Sequence, residues 1–182
     1  VLGDDGGVFF FVKKRRQTVC RVVSWARKWV LEADLGEHWG VVDLSSVQMY
    51  KLQGPGAVEY ADYLAVNKVD VPVGRSIYTP WLNDDGGFHS DLTMMRMAED
   101  RVRIVTGVFD GGRDEFWVRR HMPTDGSVAF SNITRQTTTL GLWGPNAPAV
   151  LAQLTDQDLS QDGSPYGSII PAGLACGGRE IS

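Results

Sequence analysis

The stretch from Ile77 to Gly107 constrains the fold of this chain more than any other. Two apolar, β-prone runs flank Asn83-Asp84-Asp85-Gly86-Gly87, a turn of residues that tolerate positive φ. A third run, Val102 to Val105, follows the short polar break Ala98-Glu99-Asp100. This spacing predicts a three-stranded antiparallel meander with Asp91 inside its second strand. Alternation sets Phe88, Ser90 and Leu92 on one face and His89, Asp91 and Thr93 on the other. A carboxylate inside a strand opposes β-propensity and is costly if buried unpaired, so Asp91 needs a reason. One reason is pairing with an arginine such as Arg96 or Arg103; the other is chemistry.

Signals around the meander are weaker. Arg21 to Ala33 reads as a helix with Val22, Trp25 and Trp29 on one face. Gln48 to Gln53 alternates as a strand, and Gly54-Pro55 breaks it and opens a helix partly covered by Val58, Ala61, Tyr63 and Leu64. Arg113 to His121 predicts a helix centred on Trp117. Val128 to Thr134 and Thr137 to Trp143 read as strands, and Gly144-Pro145 starts a helix with Ala147, Val150, Leu151 and Leu154 as its stripe. Leu52-Gln53-Gly54-Pro55-Gly56-Ala57 and Leu142-Trp143-Gly144-Pro145-Asn146-Ala147 share the pattern Leu-x-Gly-Pro-x-Ala. The pattern suggests two weakly repeated β–α units, although Gly-Pro is a common helix start and can recur by chance. The fold class expected is α+β, an antiparallel sheet with helices packed on one face.

Size suits one domain with ragged ends. An apolar content of 43%, with six Trp, seven Phe and five Tyr, is ample for a core. A formal charge of −4 gives no indication of a nucleic-acid partner, and Lys13-Lys14-Arg15-Arg16 reads as a solvated basic cluster. Cys20 and Cys176 stand in no metal-ligand spacing, so neither a metal site nor a disulfide is expected. Val8 to Val12 is too short to span a bilayer, so no membrane association and a cytoplasmic location are expected.

From Gly40 to Ser160 the chain resembles the glycine-cleavage T-protein (aminomethyltransferase) family, which includes the folate-binding parts of dimethylglycine and sarcosine dehydrogenases. The residues that carry the likeness run in order: Gly40-Val41-Val42-Asp43-Leu44-Ser45; Leu52-Gln53-Gly54-Pro55-x-Ala57; Gly74-Arg75-Ser76-Ile77-Tyr78-Thr79 with Leu82-Asn83-x-x-Gly86-Gly87; Ser90-Asp91-Leu92-Thr93; Glu99-Asp100-Arg101; and Leu142-Trp143-Gly144-Pro145-x-Ala147. Thr93 and Thr106-Gly107 lean toward the dehydrogenase side of the family. The resemblance implies a folate-binding aminomethyltransferase-like domain over residues 36–160. Residues 1–35 are left as a poorly assigned segment, and 161–182 as an irregular tail.

The resemblance further implies tetrahydrofolate as cofactor and a small-molecule one-carbon donor such as dimethylglycine, sarcosine or an aminomethyl carrier. It makes Asp91 the catalytic carboxylate. Tyr78 and Thr93 would line the folate site, and the backbone near Val105 would contact the pterin. His89 is a bystander in that scheme. The family's later Gly-Glu segment has no match after Ser160, so a truncated chain is expected. Gly54-Pro55-Gly56 is no dinucleotide fingerprint, and any flavin would reside on a flavoprotein partner. Self-association through surface left uncovered is the other expected contact. The alternative function is a non-catalytic folate-fold scaffold or an inactive fragment. The Lys-Gly-Cys-Tyr-x-Gly-Gln signature of iron–sulfur assembly relatives is absent, since Cys176 lies in Ala-Cys-Gly-Gly.

Overall fold

A computed structural model of the protein describes residues 8–13, 39–176 and 179–181, with side chains described over 39–173. The helix expected over Arg21 to Ala33, the basic residues after Lys13 and Cys20 lie outside these residues. In chain order the elements are β1 (Val8–Lys13), β2 (Gly40–Asp43), β3 (Gln48–Gln53), α1 (Ala57–Leu64), β4 (Ser76–Leu82), β5 (Phe88–Ala98), β6 (Arg101–Thr106), α2 (Gly111–His121), β7 (Ala129–Asn132), β8 (Thr138–Trp143), α3 (Ala147–Leu151), β9 (Leu174–Cys176) and β10 (Arg179–Ile181). A 3-10 turn covers Thr134–Gln136.

The chain divides into two compact units. Val47–Gln136 with Tyr166–Ile170 forms the unit that contains the meander. Its sheet has five strands in the order β4-β5-β6-β3-β7, all neighbours antiparallel. The turn forms as its residues dictate. Asn83 Oδ1 accepts the amides of Asp85 (3.1 Å) and Gly87 (2.7 Å), and Gly86 takes φ +75°.

One sheet face carries Tyr50, Leu52, Trp81, Leu92, Met94, Val102 and Ile104, all buried against Ala57, Tyr60, Ala61 and Leu64 of α1 and Val118 of α2. Among the described residues, α1 and α2 pack on this one face, as expected of an α+β layer. Both buried tyrosines satisfy their hydroxyls across this core: Tyr50 donates to the Gly111 carbonyl and Tyr60 to the Val118 carbonyl. The buried stripe of α1 differs from the one expected. Ala57, Tyr60, Ala61 and Leu64 keep the i, i+3, i+4, i+7 spacing, whereas Tyr63 falls off that stripe and is 71% exposed.

The other unit comprises Val1–Ser46, Thr137–Pro165 and Pro171–Ser182. Its three-stranded sheet has the order β1-β8-β2, with β1 parallel and β2 antiparallel to β8. Leu142, Ala147 and Leu151 form its small buried cluster, joined by Leu154 and Leu159. β9 and β10 pair as an antiparallel hairpin.

The repeated motif has a repeated geometry. At the first corner Gly54 has φ +128°, Gly56 caps α1 at φ −90°, ψ 0°, and the Ala57 amide bonds the Gly54 carbonyl at 3.0 Å. At the second, Gly144 has φ +108°, Asn146 caps α3 at φ −91°, ψ 0°, and the Ala147 amide bonds the Gly144 carbonyl at 3.1 Å. Each glycine turns the chain where a side chain would strain it. In both corners the proline precedes the cap, two positions before the first helical residue, and the helix proper begins at the alanine.

Candidate active site

The face of the five-stranded sheet opposite the helices holds the residues singled out by sequence. β4 and β5 pair with Tyr78 opposite Thr93 and Pro80 opposite Asp91, and β5 and β6 pair with Thr93 opposite Val105. Tyr78, Thr93 and Val105 therefore stand side by side across three strands, with Asp91 two residues along on the same face. The four are brought together in one patch. Met95 and Arg103, opposite one another in the next rank, are buried and bound it on that side.

Within the patch the Tyr78 hydroxyl donates a hydrogen bond to Asp91 Oδ2. This is the diagonal contact that a long aromatic side chain can make across an antiparallel pair. The Tyr78 ring is 62% exposed and Asp91 is half-buried, so the carboxylate is held from one side and open from the other. Arg96, one of the partners considered for Asp91, bridges Glu99 at 3.3 Å instead. The hydrogen-bond donor that reaches the carboxylate is the Tyr78 phenol. A half-exposed carboxylate beside an exposed aromatic side chain offers an acceptor for N–H donors and a surface for a planar heterocycle.

The structure corrects one placement. Strict alternation sets His89 on the Asp91 face. Instead the β4–β5 register shifts between Trp81↔Ser90 and Leu82↔Phe88, which makes His89 the extra residue of a β-bulge. The bulge sends its ring to α2, where it stacks on Trp117 at 4.4 Å between centroids and lies 3.5 Å from Asp114. Trp117 in turn contacts the ring of His121 at 4.2 Å. Burial, together with the Arg113 guanidinium, lowers the His89 pKa.

Sequence reasoning passed over Asp114. It sits in the first turn of α2, fully buried, and Oδ2 accepts hydrogen bonds from Ser90 Oγ (2.9 Å) and from Thr106 Oγ1. Burial raises its pKa, opposed by those two hydroxyls and by Arg113. An acidic residue in a helix's first turn is ordinary dipole decoration. Its partners on two distant strands leave no periodic signal. Among the described residues no cluster of His, Cys, Asp and Glu could hold a metal ion, and no helix is long and apolar enough to cross a membrane.

The architecture is that of an aminomethyltransferase-type domain. Aminomethyltransferase T of the glycine cleavage system from Bartonella henselae superposes with a TM-score of 0.62 at 27% identity, over 66% of this chain and 33% of that one. Residues 23–177 match the GCVT N-terminal domain, and the chain belongs to that family. Its relatives have diverse names. 4-Methylaminobutanoate oxidase (formaldehyde-forming) of Paenarthrobacter nicotinovorans is 30% identical over 139 residues, covering 75% of this chain and 17% of the relative. The mitochondrial pyruvate dehydrogenase phosphatase regulatory subunit of Mus musculus is 29% identical over 127 residues, covering 69% of this chain and 14% of the relative. The chain thus spans a third or less of the length of these proteins.

Proposed function

We propose that this chain is a tetrahydrofolate-dependent one-carbon transferase domain, acting on a methylamine-type donor such as dimethylglycine or sarcosine, or on an aminomethyl carrier. The observation that carries the reading is the Tyr78–Asp91 hydrogen bond on the sheet face opposite the helices, beside Thr93 and Val105. Tetrahydrofolate, when bound, supplies the nitrogen that accepts the one-carbon unit. The residues of this chain supply the rest. Asp91 takes up the proton released at nitrogen or faces the cationic centre that develops there. Tyr78 fixes the carboxylate by donating to one oxygen, which leaves the other to face the ligand. The Thr93 hydroxyl and the Val105 backbone border the same surface and orient what lies on it. A methylamine-type donor is supported by the likeness to an enzyme named for formaldehyde-forming oxidation of a methylamino acid.

Calorimetric titration with tetrahydrofolate tests the reading. The chain is expected to bind, and Asp91→Asn or Tyr78→Phe is expected to weaken binding by roughly tenfold or more, the scale of a lost hydrogen bond to a charged group. A folded chain with no binding at millimolar ligand would end the claim. The likeness to a regulatory subunit favours a second reading, a non-catalytic folate-fold module. Under that reading Asp91→Ala leaves association with a partner protein and its activity unchanged.

A further inference from the structure

Asp91 stands at a place where the sheet is incompletely laddered. The register of β5 with β6 ends at Thr93↔Val105, so Asp91 lies one rank beyond the last pair. On its other side Asp91 pairs with Pro80, whose carbonyl accepts the Val66 amide on the outer edge of β4. A strand residue's N–H and C=O point the same way, so the Pro80–Asp91 pair exchanges no hydrogen bonds, and the Asp91 peptide groups face β6. The segment that carries the key carboxylate therefore depends on something other than strand pairing to hold it to β6.

We propose that Asp114 is a positioning residue, whose buried carboxylate ties β5 to β6 where the ladder stops and so fixes the backbone that presents Asp91. Ser90, its partner on β5, immediately precedes Asp91, and Thr106, its partner on β6, immediately follows Val105. One oxygen, Oδ2, receives both hydroxyls. The carboxylate thus spans the same gap that a further pair of backbone hydrogen bonds would close, from the opposite side of the sheet to the site. α2 reinforces the grip at the neighbouring residue. Arg113 Nη2 donates to the His89 carbonyl at 2.6 Å, and the His89 ring stacks on Trp117. Arg113 itself is steadied by Asp110 at 3.0 Å. A fully buried carboxylate is expensive to keep, and two hydroxyl donors with a guanidinium nearby offset that expense. Three side chains of α2, Arg113, Asp114 and Trp117, thus converge on the two residues that precede Asp91.

The consequence for one-carbon transfer rests on the function proposed above; the consequence for the strand does not, and two measurements separate them. Ser90→Ala, Thr106→Val and Asp114→Asn are compared with the conservative Thr106→Ser and with Val118→Ala, a core truncation in α2 that leaves the three-residue tie intact. If the wild-type chain binds tetrahydrofolate, Ser90→Ala and Thr106→Val are expected to weaken binding at least tenfold, while Thr106→Ser and Val118→Ala stay within about twofold of wild type. Equal losses in Val118→Ala and the tie variants, or no loss in the latter, would overturn the proposal. If the wild-type chain does not bind, the function fails, and amide hydrogen exchange decides the tie alone. Exchange over Ser90–Thr93 is then expected to quicken about tenfold in Ser90→Ala and Thr106→Val, with Met94–Arg96 unchanged. No change, or uniform quickening along β5, would overturn it. The two hydroxyl variants keep the test open should Asp114→Asn fail to fold.

Discussion

At the scale of single residues, two positions show how local geometry sets what can be changed. Gly54 combines φ +128° with a close approach to the chain beyond α2: an added Cβ would lie 2.4 Å from the Ser127 carbonyl oxygen. Gly126, with φ +78°, has nothing within 4 Å of an added Cβ. Gly126→Ala therefore meets only the left-handed backbone penalty of about 1–2 kcal/mol, whereas Gly54→Ala adds displacement of a neighbouring strand end and is expected to exceed that. Urea midpoints for the pair check the order. His89 makes a second prediction. Its folded pKa lies below 6.5, so the unfolded chain binds the proton more readily, and stability present above pH 6.5 is lost as pH falls through that window. Around the His89 ring, Arg113 and His121 push its pKa further down, and Asp114 and Asp110 oppose them. Asp114 acts in the opposite sense at lower pH: its raised pKa makes stability fall as pH climbs from 3.8 toward the shifted value. His89→Gln should flatten the stability loss between pH 7.5 and 5.5 and leave the lower window in place. Denaturant titrations at the two pH values report it.

At the scale of elements, the β4–β5 hairpin was readable because its turn chemistry is local. Asn83 provides a side-chain acceptor for two amides of its own turn, so Asn83→Ala is expected to destabilise the chain by about 1–2 kcal/mol, measured by thermal unfolding. Alternation likewise separates Ser90 and Leu92 from Asp91 and Thr93 on opposite faces, as the structure has them. It failed at His89, because a bulge is a relation between two strands, and the register of Trp81 against Ser90 cannot be read from β5 alone. In α1 the expected stripe shares Ala61 and Leu64 with the buried one but has Val58 and Tyr63 where the core takes Ala57 and Tyr60, whose hydroxyl reaches the Val118 carbonyl. Asp114 escaped for a related reason. Its meaning lies in Ser90 and Thr106, and nothing in α2's own pattern points to either.

At the scale of the molecule, several large apolar side chains of the meander-bearing unit face outward. Phe109 is 93% exposed, Tyr166 86%, Phe88 67% and Phe116 64%. Clusters of such groups promote contact with other proteins or with further copies of the chain. Phe109→Ser with Phe88→Thr is expected to lower self-association seen by light scattering and to change stability by no more than about 0.5 kcal/mol, since neither side chain is buried.

The form that such association takes is narrowed by β4. This strand ends the five-stranded sheet, yet most of its rim is occupied. The Ser76 amide bonds the Gly167 carbonyl, and the Tyr78 and Pro80 carbonyls take donors from Asn67 and Val66. Position 80 has no N–H to offer. A foreign strand seeking to extend the sheet at β4 would find its hydrogen-bonding slots taken up by the chain's own loops. Contacts made at the β4 edge should therefore run through side chains and not through backbone templating.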